Sequence, residues 1–254
     1  MISFVGAGPG ASDLITIRAA DRLARADVVI WAGSLVAASL LDRCRPEAVR
    51  FDSSGMTLDE IVAVFAAHPD EAVVRLHSGD PTVYSAVAEQ IDWCRANGRP
   101  YEIVPGVSAV SATAAAAGRE LTVPGVAQTV ILTRLARRTT ASVPDHESVA
   151  ALARRGATMA LYLSAGDPEA LQQELLCEGS AYTAATPAVI GYKVSWPDEI
   201  IRRSTVGRLA HDLAVVGKRT SVMILVGEAL ADVDVPAVSH VYSASFGHAF
   251  RPLR

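Results

Sequence analysis

The chain has 254 residues, of which 50% are hydrophobic and 20% charged, enough to fill sizeable cores; this excludes a disulfide-stapled mini-protein and an intrinsically disordered segment. A formal net charge of −4 lacks the basic excess that drives binding to phosphate backbones, so nucleic acid is not expected as a partner. Only 6% of residues are aromatic and the apolar content is carried by Ala, Val, Leu and Ile, as in helix-covered sheets, which favours an α/β class with two lobes of roughly 120 residues each.

In chain order, Ile2 to Val5 reads as a short strand closed by a glycine-rich turn, and Leu14, Ile17, Ala20, Leu23 and Ala24 recur at helical spacing. Asp27 to Trp31 is a second buried strand, and Gly33-Ser34 is expected to open a short helix through Leu41. Thr57-Leu58-Asp59-Glu60 has capping-box form ahead of Ile61, Val64 and Phe65. The strand Ala72 to Leu76 ends in His77-Ser78-Gly79-Asp80-Pro81, where Pro81 is expected to occupy the first position of the next helix. Tyr101 to Val104 is another strand, and Pro105-Gly106 turns into a small-residue helix from Ser108 to Ala117. Strands alternating with helices imply a mostly parallel sheet with a ligand crevice at the strands' carboxyl ends.

The pattern pauses near Gly118. The sequence therefore predicts an N-terminal α/β lobe over 1–118, a linker at 119–124, a C-terminal lobe over 125–230 and a tail over 231–254. In the second lobe, strands are expected at Thr129 to Leu132, Met159 to Leu163, Ala188 to Val194, Glu199 to Arg203 and Ser221 to Val226. Helices are expected near Ser148 to Arg155, Pro168 to Cys177 and Thr205 to Val216, and Ala136 to Asp145 reads as a polar, mobile loop. Strand following strand between Ile190 and Arg203 indicates a hairpin, hence a mixed sheet.

Cys44, Cys94 and Cys177 form no C-x-x-C pair and have no histidine at ligand spacing, so no metal site is expected. The opening Met1-Ile2-Ser3-Phe4-Val5-Gly6 lacks signal-peptide character, and no run approaches the ~18 apolar residues of a spanning helix; a cytoplasmic protein with no membrane partner is the expectation.

Gly6-Ala7-Gly8-Pro9-Gly10-Ala11 nearly matches a dinucleotide fingerprint, but Pro9 removes a backbone donor from the turn that would cradle pyrophosphate. The second strand ends in Ile30-Trp31-Ala32, without a carboxylate for ribose hydroxyls. A ligand without phosphates needs no such cradle. Ser78-Gly79-Asp80-Pro81 and Pro105-Gly106-Val107-Ser108-Ala109 also sit at carboxyl ends of expected parallel strands, so one site built from three turns is the economical reading.

Together these segments closely resemble the tetrapyrrole (precorrin and uroporphyrinogen) methyltransferase family. The matching residues are Val5 to Gly10 with Asp13-Leu14-Ile15-Thr16, Ser78 to Tyr84, Val104 to Ala109, Ala160 to Leu163 and Tyr192 to Glu199. Within the family, Leu76 to Pro81, Gly118 to Thr122, Gln128 to Arg134, Ser195 to Glu199 and the tail segments His240 to Tyr242 and Phe246 to Arg251 are similar to the branch that methylates carbon 11 of precorrin-4. The resemblance implies two αβα lobes, a homodimer, S-adenosyl-L-methionine as methyl donor with S-adenosyl-L-homocysteine as product, and precorrin-4 or cobalt-precorrin-4 as substrate on the way to cobalamin. It carries the family's cofactor contacts to Pro9, Ser78, Gly79, Asp80, Val83, Ser108, Ala109, Leu163, Tyr192 and Lys193. Leu163 stands where relatives often have Met. Ala11 stands where many uroporphyrinogen methyltransferases have Asp, so no catalytic carboxylate can be invoked there.

Methyl transfer from a sulfonium to an electron-rich carbon needs in-line approach and a desolvated pocket; positioning can supply up to ~7–11 kcal/mol of the rate. No nucleophilic side chain is required and no catalytic residue is assigned. Asp80 has two readings, a contact to the cofactor's ammonium or a cap on the helix after Pro81. A substrate rimmed with carboxylates calls for cations, for which Arg119, Arg134, Lys193 and the pair Arg137-Arg138 are candidates, each equally readable as a solvated charge. His77 is either a proton relay or a hydrogen-bonded structural histidine, and Tyr84, Tyr192 and Trp196 either pack on the macrocycle or belong to cores and interfaces.

Overall fold

The computed structural model describes residues 1–136 and 143–232, together with Phe246, Gly247, Ala249 and Arg251. Its contacts divide the chain into two compact units, Met1–Ala112 with Lys193–Glu199, and Thr113–Tyr192 with Ile200–Arg254. The expected tail segment His240 to Tyr242, and the Arg137-Arg138 pair, lie outside the described residues.

The first unit is a five-stranded parallel sheet in the order β3-β2-β4-β1-β5, from β1 (Ile2–Gly6), β2 (Val28–Trp31), β3 (Val49–Asp52), β4 (Val73–His77) and β5 (Tyr101–Val104). Alternate residues of the central strands serve two cores. Val5, Val29, Val74 and Leu76 pack with Ala19 and Leu23 of α1 (Ile17–Ala24) on one face. Phe4, Ile30 and Val73 pack with Ile61, Val64 and Phe65 of α2 (Leu58–Ala67) and Ile91 and Cys94 of α3 (Ala88–Ala96) on the other. The capping box at Thr57 and Glu60 is present, and Thr16 caps α1 by accepting from the Ala19 amide.

Three expectations are corrected here. The edge strand β3 was not foreseen, because Val49-Arg50-Phe51-Asp52 shows no apolar run and Val49 itself is 46% exposed. The helix expected from Gly33-Ser34 is replaced by turns and a 3-10 segment at Ala38–Arg43. Pro81 does not start a helix. Asp80 captures the Thr82 amide at 2.8 Å, Tyr84 and Ala86 take φ of 53° and 47°, and α3 begins only at Ala88.

The division between units falls within α4 (Ala109–Ala116). The second unit is a mixed sheet in the order β6-β7-β10-β8-β9, from β6 (Val130–Arg134), β7 (Thr158–Tyr162), β8 (Pro187–Tyr192), β9 (Ile200–Thr205) and β10 (Val222–Val226). The expected hairpin is the antiparallel β8–β9 pair. Strands β6 and β7 run parallel, and β10 runs antiparallel to both β7 and β8, so β6, β7 and β8 end at one edge of the sheet. One core collects Met159, Leu161, Ile190, Ile224 and Val226 with Val149 of α5 (Val149–Ala153), Leu171 and Leu175 of α6 (Pro168–Leu175) and Leu209 and Leu213 of α7 (Leu209–Val216). Helix α6 opens with Pro168 at its first position under an Asp167 cap, and α7 stops at Gly217 in the left-handed conformation. Among the described residues no helix is long and apolar enough to cross a membrane.

Candidate active site

The three glycine-bearing turns of the first unit meet. Gly8 and Gly79 form an antiparallel bridge, the Gly79 amide donating to the Gly8 carbonyl at 2.8 Å and the Gly8 amide to the Gly79 carbonyl at 3.2 Å. The Ala7 amide donates to the His77 carbonyl at 2.7 Å. A Cβ at Gly106 would lie 2.2 Å from the Gly79 oxygen, and one at Gly6 would lie 2.6 Å from Gly106 Cα, so backbone packs on backbone where β1, β4 and β5 end. Gly79 differs: at φ +65° a Cβ there would have no protein atom closer than 3.8 Å. Gly79 is buried, but a Cβ there would make only ordinary contacts with the third turn, whereas Gly6 and Gly106 have no room for one.

Asp80 ties two of these turns together. Its Oδ1 accepts from the Thr82 amide and the Thr82 hydroxyl, and its Oδ2 accepts from the Gly106 amide at 2.9 Å. Burial opposes its ionisation, but these donors outweigh burial and hold the carboxyl below its ordinary range. The helix-capping reading of Asp80 is overturned, since no helix follows Pro81. Ser78 is exposed, Val83 half-buried and Tyr84 45% exposed on the turn beyond; Ser108 and Ala109 open α4 beside Gly106.

Pro9 is buried, and its carbonyl accepts from Trp196 Nε1 at 2.9 Å. The Ala11 amide donates to Ser195 Oγ at 2.9 Å, so the stretch Lys193–Glu199 is fastened to the first glycine turn. A cavity of about 410 Å³ adjoins this contact, lined by Ala11, Ser12, Asp13, Ser39 and Pro197 among others. Lys193 pairs with Asp198 at 2.9 Å and its ammonium lies 5.0 Å from the Trp196 ring centroid.

His77 is 6% exposed, its ring 6.1 Å from that of Phe4, and its Nε2 has no hydrogen-bond partner among the described residues. Burial, aided by the Arg75 cation, pushes its pKa down to about 3. The ring is therefore neutral throughout the physiological range, and at Nε2 it makes no hydrogen bond among the described residues, so the hydrogen-bonded reading is not met at that atom. Sequence reasoning missed Arg75 and Gln90, 8% and 3% exposed beneath the second turn. The available signal was a charge inside the apolar strand Val73-Val74-Arg75-Leu76.

In the second unit, Arg134 ends β6, Leu163 follows β7 and Tyr192 ends β8, all at the same sheet edge. Leu163 has φ 52° and is 73% exposed, a conformation rare for a leucine and concentrated at functional positions. Tyr192 is buried with the Lys218 ammonium 5.3 Å from its ring centroid. Arg119 forms an ion pair with Asp232, which Arg203 also engages at 2.9 Å, so its guanidinium is already committed within this unit. Among the described residues no group of His, Cys, Asp and Glu could hold a metal ion.

The family model described as Tetrapyrrole (Corrin/Porphyrin) Methylases matches residues 1–210. A precorrin-4 C(11)-methyltransferase of Rhodococcus erythropolis is 43% identical over 96% of this chain and 97% of its own length. Among solved structures, a cobalt precorrin-4 methyltransferase of cobalamin biosynthesis superposes with a TM-score of 0.86 at 42% identity, covering 91% of this chain and 96% of that one. The uroporphyrin-III C-methyltransferase of Thermus thermophilus complexed with S-adenosyl homocysteine gives a TM-score of 0.75 at 25% identity, covering 90% and 98%. The chain belongs to the tetrapyrrole methylases. It is therefore an enzyme of methyl transfer, built on one parallel and one mixed sheet as the sequence led us to expect.

Proposed function

We propose that this protein transfers the methyl group of S-adenosyl-L-methionine to carbon 11 of precorrin-4 or cobalt-precorrin-4, in the biosynthesis of cobalamin. The observation that carries the reading is full-length similarity at 42–43% identity to enzymes named for this step, against 25% to a uroporphyrin-III methyltransferase.

The first-unit turns fit the cofactor. Gly79 takes φ +65° without a side chain beside the third turn, and Pro9 presents no N–H. When bound, S-adenosylmethionine supplies an electrophilic methyl on a sulfonium whose positive charge disappears as the methyl leaves. A site that stabilises the transition state must avoid fixing that charge too tightly. Asp80 fits this requirement: its carboxylate is spent on Thr82 and Gly106, holding the turns rather than offering a free anion. Pro9, Ser78, Gly79, Val83, Ser108 and Ala109 bind and orient the donor in this reading, and the bridge between Gly8 and Gly79 fixes the turns before binding, so that little ordering remains to be done.

A cytoplasmic homodimer belongs to the same reading. The cytoplasmic setting is supported by three unpaired cysteines, and sedimentation at working concentration tests the dimer, a monomer contradicting it. Equilibrium dialysis tests the cofactor assignment: S-adenosylhomocysteine should be retained and nicotinamide dinucleotide should not, and the reverse pattern would overturn it.

A further inference from the structure

Arg75 is a guanidinium placed in an apolar strand, and among the described residues no carboxylate pairs with it. Its Nε donates to Gln90 Oε1 at 3.3 Å, and its other contacts are the carbonyls of Ile30 and Leu76 at 3.4 and 3.3 Å. Burial lowers its pKa to about 10, so it remains charged at neutral pH. A buried charge satisfied only by neutral acceptors is costly, and core packing gives no reason to keep one.

Gln90 supplies the reason. Its Nε2 donates to the Ala86 carbonyl at 3.0 Å. The orientation of this amide is dictated by chemistry: a guanidinium can only donate and a carbonyl can only accept, so the oxygen must face Arg75 and the nitrogen Ala86. The strand β4 is thereby linked through α3 to the turn 81–87. That turn holds two non-glycine residues at positive φ, Tyr84 at 53° and Ala86 at 47°. Such conformations persist only where the surroundings hold them, and they concentrate at binding sites. At its start the turn is fixed by Asp80 through Thr82, and by Ser85 Oγ donating to the Asp80 and Val83 carbonyls, each at 3.2 Å. At its end the hold is Gln90.

We infer that Arg75 and Gln90 are positioning residues: Arg75 orients the Gln90 amide, and Gln90 holds the Ala86 carbonyl so that the turn carrying Val83 and Tyr84 is preformed for the cofactor. The inference rests on the reading of that turn as part of the S-adenosylmethionine site.

Gln90→Glu separates this role from packing. It keeps an acceptor for Arg75 and adds a charge to pair with it, but it sets a carboxylate against the Ala86 carbonyl where a donor stood. Titration calorimetry with S-adenosylhomocysteine should show affinity reduced about tenfold with the thermal midpoint maintained. Amide exchange should quicken over 83–87 while β4 stays protected. Should Gln90→Glu fail to fold, Gln90→Asn, which keeps the amide but is one methylene short, must give the same two losses. Unchanged affinity and unchanged exchange in a folded variant would overturn the inference. If the wild-type protein does not bind S-adenosylhomocysteine, the cofactor site is what fails, and the exchange of 83–87 still decides whether Gln90 holds the turn.

Discussion

Trp196 Nε1 donates to the carbonyl of Pro9 across 187 positions of sequence, and the same indole fills the space beside Gly10, where a Cβ would lie 2.1 Å from Cδ1. The conformation of the glycine turn thus depends on a residue far along the chain. Trp196→Phe should leave the buried Pro9 carbonyl without its donor, costing ~1–3 kcal/mol in chemical denaturation and weakening S-adenosylhomocysteine binding severalfold by calorimetry. Unchanged binding would show that the contact does not govern the turn.

Gly79 and Gly106 should respond differently to substitution. A Cβ at Gly106 collides with the Gly79 oxygen at 2.2 Å, so Gly106→Ala should cost ~3 kcal/mol or more and lower the thermal midpoint. At Gly79 a Cβ would make only ordinary contacts, none closer than 3.8 Å, so Gly79→Arg incurs mainly the ~1–2 kcal/mol penalty of positive φ and should fold but fail to bind cofactor. Wild-type affinity in folded Gly79→Arg would remove that turn from the site.

Asp80→Asn retains the shape but must turn an amide nitrogen toward either Thr82 or Gly106, each of which offers an N–H. A loss of ~1–3 kcal/mol in denaturant titration is expected. Because the folded carboxyl titrates below its ordinary range, its contribution is present above the unfolded pKa near 4 and disappears as pH falls below it. Pro81→Ala, by contrast, should not impair any helix entry, as α3 starts at Ala88.

His77 gives a second pH signature. Its folded pKa of about 3 lies below the ordinary value of 6.5, so the unfolded state binds the extra proton. Stability from the neutral ring is therefore full above pH 6.5 and is lost as pH falls toward 3, with a slope approaching ~1.4 kcal/mol per pH unit from this group. His77→Phe should flatten the denaturation midpoint over that window; an unaltered acid slope would show that His77 is not buried neutral.

The strand-end glycines were legible because backbone-on-backbone packing at Gly6 and Gly106 and positive φ at Gly79 favour no other residue, and together they announced three turns in one place. The β8–β9 hairpin and the cap at Thr57 were legible as local patterns. What the sequence hid was of two kinds. Local competition hid the end of the second turn: Asp80 bonds Thr82 within two residues and thereby defeats the helix that Pro81 suggested. Distance hid the rest, since no periodicity links Trp196 to Pro9, and β3 hydrogen-bonds as an edge without the apolar pattern that marks a buried strand. Arg75 lay in plain view as a charge within Val73 to Leu76, but its link to Ala86 through Gln90 needs the packing of α3 against β4 to be seen.

The most direct test of the account is to offer the purified protein precorrin-4 and uroporphyrinogen III side by side with isotopically labelled S-adenosylmethionine and to locate the label in the product by NMR. The account predicts label at carbon 11 of precorrin-4 and none on uroporphyrinogen III. Label on uroporphyrinogen III alone, or at another carbon of precorrin-4, would contradict it.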